Sequence, residues 1–441
     1  MALAPFGRVS PQAVVEAAAL CGTPCYLYDE AMILERCRDI LAMPSAFGLT
    51  ARYAMKANPG RAILELVASA GLGIDASSLN EVRRARRAGV PAERILLTSQ
   101  EVPDGQDRRD LEALLSEGLV YNACSQLQLE RVAPFARAKG LEVAVRVNPG
   151  VGAGESVTRN TGDKYSSFGV HLAGLERLTA LARDAGVKIG QVHVHIGSGG
   201  DPAAWRENID RMLDIVERYF PAVHTLDLGG GFKEARMPDE QAADVAALGR
   251  HAQERFEAFA ARTGRRLHMS VEPGTYLVAN AGYLVTRVVD RKWSGPGGFE
   301  FLVADGGMEA NTRPLLYGSR HPFYVVSRAG ELLSSEWNLN DPNVELDFRV
   351  VVGRCCESGD SQSLDHHGHI IPRMMADGQV GDFVVVGGAG AYCSAMSPFN
   401  YNSHLQAPEV LLAGDGTLQL VRRSQTLDQV VQNELGRRPA R

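Results

Sequence analysis

Residues 53–60 read YAMKANPG: a short apolar run, a single lysine, then an asparagine, a proline and a glycine. The apolar residues ahead of Lys56 suit a buried strand, and Pro59 with Gly60 suits a turn. Lysine is almost never fully buried unless a partner or a reaction takes up its charge. At a strand end Lys56 either snorkels to water along its aliphatic stem or presents its amine to an aldehyde as a Schiff base. Taken alone, the octapeptide favours the first reading. Its surroundings decide.

Outward from this stretch, short apolar runs alternate with longer segments of helical period. The runs are ARYAMKAN, GLGIDAS, RILLTSQ, LVYNACS, EVAVRVNP, IGQVHVHIGS, TLDLGGGF and LHMSVEPG. Between them lie helical stretches such as GRAILELVASAG, with a glycine stop, and SSLNEVRRARRAGV, where Ser78 and Glu81 have capping-box spacing. Strict alternation with eight strand candidates predicts a (β/α)8 TIM-type barrel over residues 28–281. A doubly wound open sheet would call for a GxGxxG turn after the first strand, and MKANPG does not supply it. After residue 281 the texture changes to β-branched runs separated by glycine turns, among them YLVTRVVDRKW, FYVVSRAGELL and GDFVVVGGAGAY. These predict an antiparallel β domain formed by residues 282–441 with 1–27. PGVGAGESVTRNTGDKYSSFGV reads as a mobile βα loop near the site.

The 441 residues carry a net charge of -6, which offers no basic field for nucleic acid or an anionic membrane. No apolar run approaches the length of a transmembrane helix. The N-terminal stretch reads as an amphipathic helix starting after Ser10–Pro11, not as a cleaved signal. Seven cysteines without a CxxC pair speak against a disulfide framework or a structural zinc site, and no other metal is expected. A cytoplasmic location follows as the expectation.

In a barrel of this kind chemistry sits at the C-terminal strand ends. Those ends are Lys56, Asp75 with Ser77, Ser99, Asn122 with Ser125, Arg146 with Asn148, His195 with Ser198, Asp227 with Gly229 to Gly231, and Glu272 with Gly274. Each has an ordinary reading: His195 as a core histidine, the glycine run as a tight turn, Glu272 as a cap. Together they suit a phosphate-bearing aldehyde cofactor. Amides at Gly230, Gly231 and Gly274, with the Ser198 hydroxyl, can approach a phosphate. Lys56 can hold the aldehyde, His195 can stack on a ring, and Glu272 can pair with a protonated ring nitrogen. A carboxylate at that nitrogen keeps the ring an electron sink, which suits decarboxylation better than racemisation.

YAMKAN, HVHIGSG, DLGGGF, VEPG, CESGD and GAYCSAMSPFNYNS, in this order from about residue 20 to 412, resemble the diaminopimelate decarboxylases within the alanine-racemase-like, fold type III, pyridoxal-phosphate enzymes. The resemblance implies a barrel, a C-terminal β domain and a homodimer with active sites shared across its interface. It makes Lys56 the cofactor lysine and His195 the stacking residue, with Gly231, the run Glu272 to Thr275 and Tyr392 as cofactor contacts beside Asp75. It places Arg313, Tyr317, Glu357 and Tyr392 on the substrate. Cys356 becomes the proton donor, reaching with Glu357 from the second subunit. Read from its residues alone, Cys356 could equally be a buried strand-end thiol.

Three departures stand out. The family's E-P-G-R reads EPGT, so Thr275 replaces an arginine that helps hold the distal carboxylate of diaminopimelate; threonine cannot form that charged pair. His404 and Gln406 replace two further arginines, and Ser167 replaces a lysine. This loss of charge favours an amino acid without the distal carboxylate, such as D-lysine, D-ornithine or an intermediate of a specialised pathway. The alternatives are a true meso-diaminopimelate decarboxylase making L-lysine, and an amino acid racemase or non-catalytic pyridoxal-phosphate-binding protein. Glu272, Lys56 and Cys356 speak against the last two.

Overall fold

A computed structural model describes residues 8–152, 161–197, 202–340 and 344–437. The chain divides into two compact units, Ile33–Glu234 with Gln241–Leu277, and Met1–Met32 with Ala235–Glu240 and Val278–Arg441. Residues 28–32, the short piece Ala235–Glu240 and residues 278–281 lie within the sequence expected to be barrel but group with the β unit.

The first strand of the chain, β1 (Cys25–Asp29), belongs to the β unit. The barrel unit takes β2 (Leu49–Ala54), β3 (Gly73–Ala76), β4 (Ile95–Leu97), β5 (Val120–Ala123), β6 (Glu142–Asn148), the two-residue β7 (Val170–His171), β8 (Lys188–His193), β9 (Thr225–Asp227) and β10 (His268–Val271). They pair in the order β5-β4-β3-β2-β10-β9-β8-β6, and a further β5–β6 pairing closes the ring, with β7 added beside β6. Every pairing in this sheet is parallel. The closed eight-strand parallel barrel therefore matches the expected fold. Its strands are apolar because both faces are covered: Ile95, Leu96 and Leu97 are all 0% exposed.

Register sets the site. Tyr53 pairs with Ile74 and Ala54 with Asp75, so the end of β2 lies beside Asp75. Several of the intervening helices start on side-chain caps, with Ser78, Ser125 and Asp244 accepting from the backbone of Glu81, Gln128 and Ala247. At the expected capping box, the Glu81 carboxylate accepts from Ser77 N (2.6 Å), one residue before the cap. The polar βα loop expected near the site falls partly on residues 153–160, outside the described residues.

The β unit holds β11 (Gly282–Trp293), β12 (Glu300–Ala304), β13 (Phe323–Val326), β14 (Leu332–Ser335), β15 (Asp347–Val352), β16 (Arg373–Met375), β17 (Phe383–Val386), β18 (Glu409–Leu412) and β19 (Leu418–Arg422). Most neighbours are antiparallel, as expected, but β1 runs parallel to β18 and β12 parallel to β15. Neither pair is joined by a hairpin: β1 and β18 come from opposite ends of the chain, so no tight turn forces them antiparallel. Helix Pro11–Cys21 begins where SP predicted, with Ser10 Oγ accepting from Ala13 N at 3.1 Å. It packs Val14 and Ala17 against Leu27, Tyr283, Val385 and Val410.

Candidate active site

Lys56 sits in the single 3-10 turn Met55–Ala57 that follows β2. Met55 and Ala57 are buried, and the Lys56 side chain is 45% exposed with Nζ 3.9 Å from Asp75 Oδ2. The amine thus leans on a buried carboxylate. Burial, and then Glu272, push Asp75 up to about 7, with Lys56 opposing the shift. Among the described residues Asp75 Oδ1 has no hydrogen-bond partner.

The ends of β8, β9 and β10 bring further ionisable groups together, since the nearest donor atoms of His193, Asp227 and Glu272 all lie within 4.8 Å of one another. Asp227 accepts from Gln191 Nε2 (3.1 Å) and Gly229 N (2.9 Å), with an Arg52 guanidinium nitrogen 3.8 Å away. Burial is the main cause that pushes Asp227 up to about 6. Burial also raises Glu272, while the cations Lys56, Arg146 and Arg52 hold it down. His195 is half-buried as a residue, and desolvation, with Arg146 and Lys56 nearby, holds its ring neutral.

Gly229, Gly230 and Gly231 pack backbone to backbone on neighbouring strand ends. A Cβ on Gly230 would come within 2.4 Å of Glu272 O, and one on Gly231 within 2.7 Å of Gly197 O. The Gly229 amide donates to Asp227 and the Gly230 amide to His195 Nδ1 (3.2 Å). Among the described residues the Gly231 amide has no such acceptor, so it is the member of the run that stands ready for an anion. Gly274 precedes the short helix Thr275–Val278. Ser198 lies outside the described residues.

These groups fit a protonated heteroaromatic aldehyde. Among the described residues Glu272 Oε1 is buried without a hydrogen-bond partner, an acceptor that costs free energy until a donor arrives. Lys56 supplies the amine at the same mouth.

The remaining expected site residues lie in the β unit. Arg313 is 4% exposed, with its guanidinium carbon 5.7 Å from the Tyr317 ring centre and 5.9 Å from that of Tyr392. It donates to Ser319 Oγ (3.2 Å), its Nε has no partner, and no carboxylate among the described residues lies at ion-pair distance. Cys356 is exposed; its backbone N–H donates to Asn402 Oδ1 (2.7 Å), and the Tyr401 hydroxyl donates to Glu357 Oε2 (3.2 Å). The structure thus gathers Arg313, Tyr317 and Tyr392 in one cluster, and Cys356 and Glu357 in one loop. Tyr392, Asn400, Asn402 and Ser403 hold left-handed φ values of 59°, 65°, 49° and 59°. Such strain persists where the surroundings over-determine a functional loop.

Sequence reasoning missed His193, Arg52, Tyr401 and Asn402. For His193 a signal existed: in QVHVHIG the polar Gln191, His193 and His195 alternate with Val192 and Val194, the period of a strand with a polar inner stripe. Arg52 and the NYNS turn carry no such pattern.

Residues 31–279 match the family model described as pyridoxal-dependent decarboxylase, pyridoxal binding domain. The fold and this site define a pyridoxal-phosphate-dependent amino acid decarboxylase, a carboxy-lyase. The diaminopimelate decarboxylase of Methanothermobacter thermautotrophicus is 33% identical over 430 residues, covering 95% of this chain and 93% of that protein. That of Escherichia coli K12 is 31% identical over 418 residues, covering 94% of each. A crystal structure of a diaminopimelate decarboxylase superposes with a TM-score of 0.87 at 28% identity and covers 98% of both chains. The lysine/ornithine decarboxylase of Vibrio vulnificus shares the fold, with a TM-score of 0.72 at 22% identity over 91% of this chain and 98% of that one. The chain belongs to the diaminopimelate decarboxylase family.

Proposed function

We propose that this enzyme removes CO2 from meso-diaminopimelate to give L-lysine. The near-full-length relatives named diaminopimelate decarboxylase carry this reading. It revises the preference for a substrate lacking the distal carboxylate, which rested on the charge lost at Thr275, His404, Gln406 and Ser167. Cations missing from motifs do not leave the pocket without one, because Arg313 is buried and, among the described residues, has an unpartnered Nε and meets no carboxylate. A guanidinium in that condition is suited to a substrate carboxylate.

Pyridoxal phosphate, when bound, supplies the sink for the electron pair left as the bond from the α-carbon to its carboxylate breaks. Lys56 would hold its aldehyde carbon, with Asp75 beside the amine. Glu272 Oε1 would accept from the ring nitrogen, and His195 would flank the ring. Gly231, Gly274 and Thr275, with Ser198, Gly230 and Tyr392, would receive the phosphate end. Tyr317 and Tyr392 border the Arg313 guanidinium and shape the substrate side. Glu357 is held below the usual carboxylate range by the Gly359 N–H and the Ser358 and Tyr401 hydroxyls, so it stays anionic for the substrate ammonium. The Cys356 thiol would deliver a proton to the α-carbon after CO2 departs, from a second copy of the chain in a homodimer. A reduced, cytoplasmic setting suits that thiol and is part of this proposal.

The test is CO2 release by the cofactor-loaded protein from meso-diaminopimelate, D-lysine and D-ornithine in parallel. Diaminopimelate should be turned over with the highest kcat/KM by at least tenfold. Preference for either monocarboxylic diamino acid would return the reading to Thr275.

A further inference from the structure

Asp75, Asp227 and Glu272 crowd three carboxyl groups at buried strand ends, where each charge disfavours the next. A carboxylate that is to meet a protonated ring nitrogen has to stay anionic and point one oxygen at it. His193 stands where both ends could be met. Its ring is 1% exposed, wedged between Asn122 and Glu272. Asn122 Nδ2 lies 2.7 Å from His193 Nδ1 and 3.1 Å from Thr98 Oγ1, one amide proton for each. With Nδ1 accepting, the neutral ring carries its proton on Nε2. Burial keeps it neutral, pushed down to about 4. Among the described residues Nε2 has no hydrogen-bond partner and faces Glu272 Oε2 at 3.3 Å, while Glu272 Oε1 has no hydrogen-bond partner.

We infer that His193 is a positioning residue: it donates Nε2–H to Glu272 Oε2, so that Oε1 is presented as an anionic acceptor to the cofactor's ring nitrogen, with Thr98 and Asn122 fixing the imidazole tautomer from behind. At 3.3 Å the separation is longer than a charge-assisted hydrogen bond, and bonds of this kind are commonly long until a site's ligand binds. The inference rests on pyridoxal-phosphate dependence and on the role of Glu272, and not on which amino acid is decarboxylated.

Its test reads cofactor affinity without catalysis. Pyridoxamine phosphate has the ring and phosphate but no aldehyde, so its binding, followed by fluorescence titration, does not involve a covalent bond to Lys56. Gln at position 193 carries an amide nitrogen near the place of Nε2, whereas Asn reaches only to the place of Nδ1. His193→Asn should weaken binding about 10- to 100-fold, the loss of one donor to a buried charge. His193→Gln should stay within about threefold of the parent. In a Glu272→Gln background, His193→Asn should add no further loss, because it acts through that carboxylate. Equal binding by the parent and His193→Asn would overturn the inference, and so would a full additional loss in the Glu272→Gln background; either would mean that Asp227 or the cations alone hold Glu272. If His193→Asn does not fold, Asn122→Ala serves instead, with a several-fold loss expected and unchanged binding overturning the inference. A parent that binds neither pyridoxamine phosphate nor pyridoxal phosphate would instead defeat the reading of the site itself.

Discussion

In the folded chain Asp75 is pushed up to about 7, chiefly because it is buried and then because Glu272 is near. An unfolded chain releases the same proton near 4. Between those two pH values the folded state binds more protons, so this group's contribution to stability falls as pH rises through the window. Asp75→Asn cannot ionise and removes the slope. The free energy of unfolding in urea of Asp75→Asn relative to the parent should therefore climb by up to about 4 kcal/mol from pH 4 to pH 7 and level off above it. A difference independent of pH would show that Lys56 already neutralises the carboxyl.

At the level of elements, glycines in the β unit do what no other residue can where two segments cross. A Cβ on Gly390 would lie 1.7 Å from Val278 O, and one on Gly282, at the start of β11, would lie 2.2 Å from Gly390 Cα. The backbone ties that result are Ala389 N to Gly282 O (2.8 Å) and Gly390 N to Ala279 O (3.0 Å). They set the backbone two residues before Tyr392. Gly390→Ala should destabilise the chain by about 3 kcal/mol or prevent folding, read as the urea midpoint, because the clash is with main chain and not with a movable side chain. A midpoint unchanged within error would mean that the crossing is loose. The barrel shows the opposite economy: its strands were legible from apolar runs, and each of the eight expected runs contains a strand. The βα alternation is largely local information, since several of the helices are capped by a side chain just ahead of their first turn, as by Ser78, Ser125 and Asp244.

At the scale of the whole molecule, a proton donor supplied by a second copy would make each active site the joint property of two chains. Mixing inactive Lys56→Ala and Cys356→Ala proteins should then restore about a quarter of parental activity, since half of randomly exchanged dimers carry one intact site of two. Verified subunit exchange without recovery would place Cys356 and Lys56 of the same chain in one site. The sequence by itself determined the (β/α)8 order, the β-rich remainder and most of the residues at the strand ends, because strand period, capping and turn chemistry are local properties of adjacent residues. It did not determine which strand ends face one another, the parallel pairing of β1 with β18, or the contact of His193 with Glu272. Those depend on closure of the ring and on pairing between segments far apart in the chain. Only the tertiary structure could show that Arg313 is buried without a counter-charge among the described residues, because the burial and neighbours of a side chain are set by the packing of the whole chain around it.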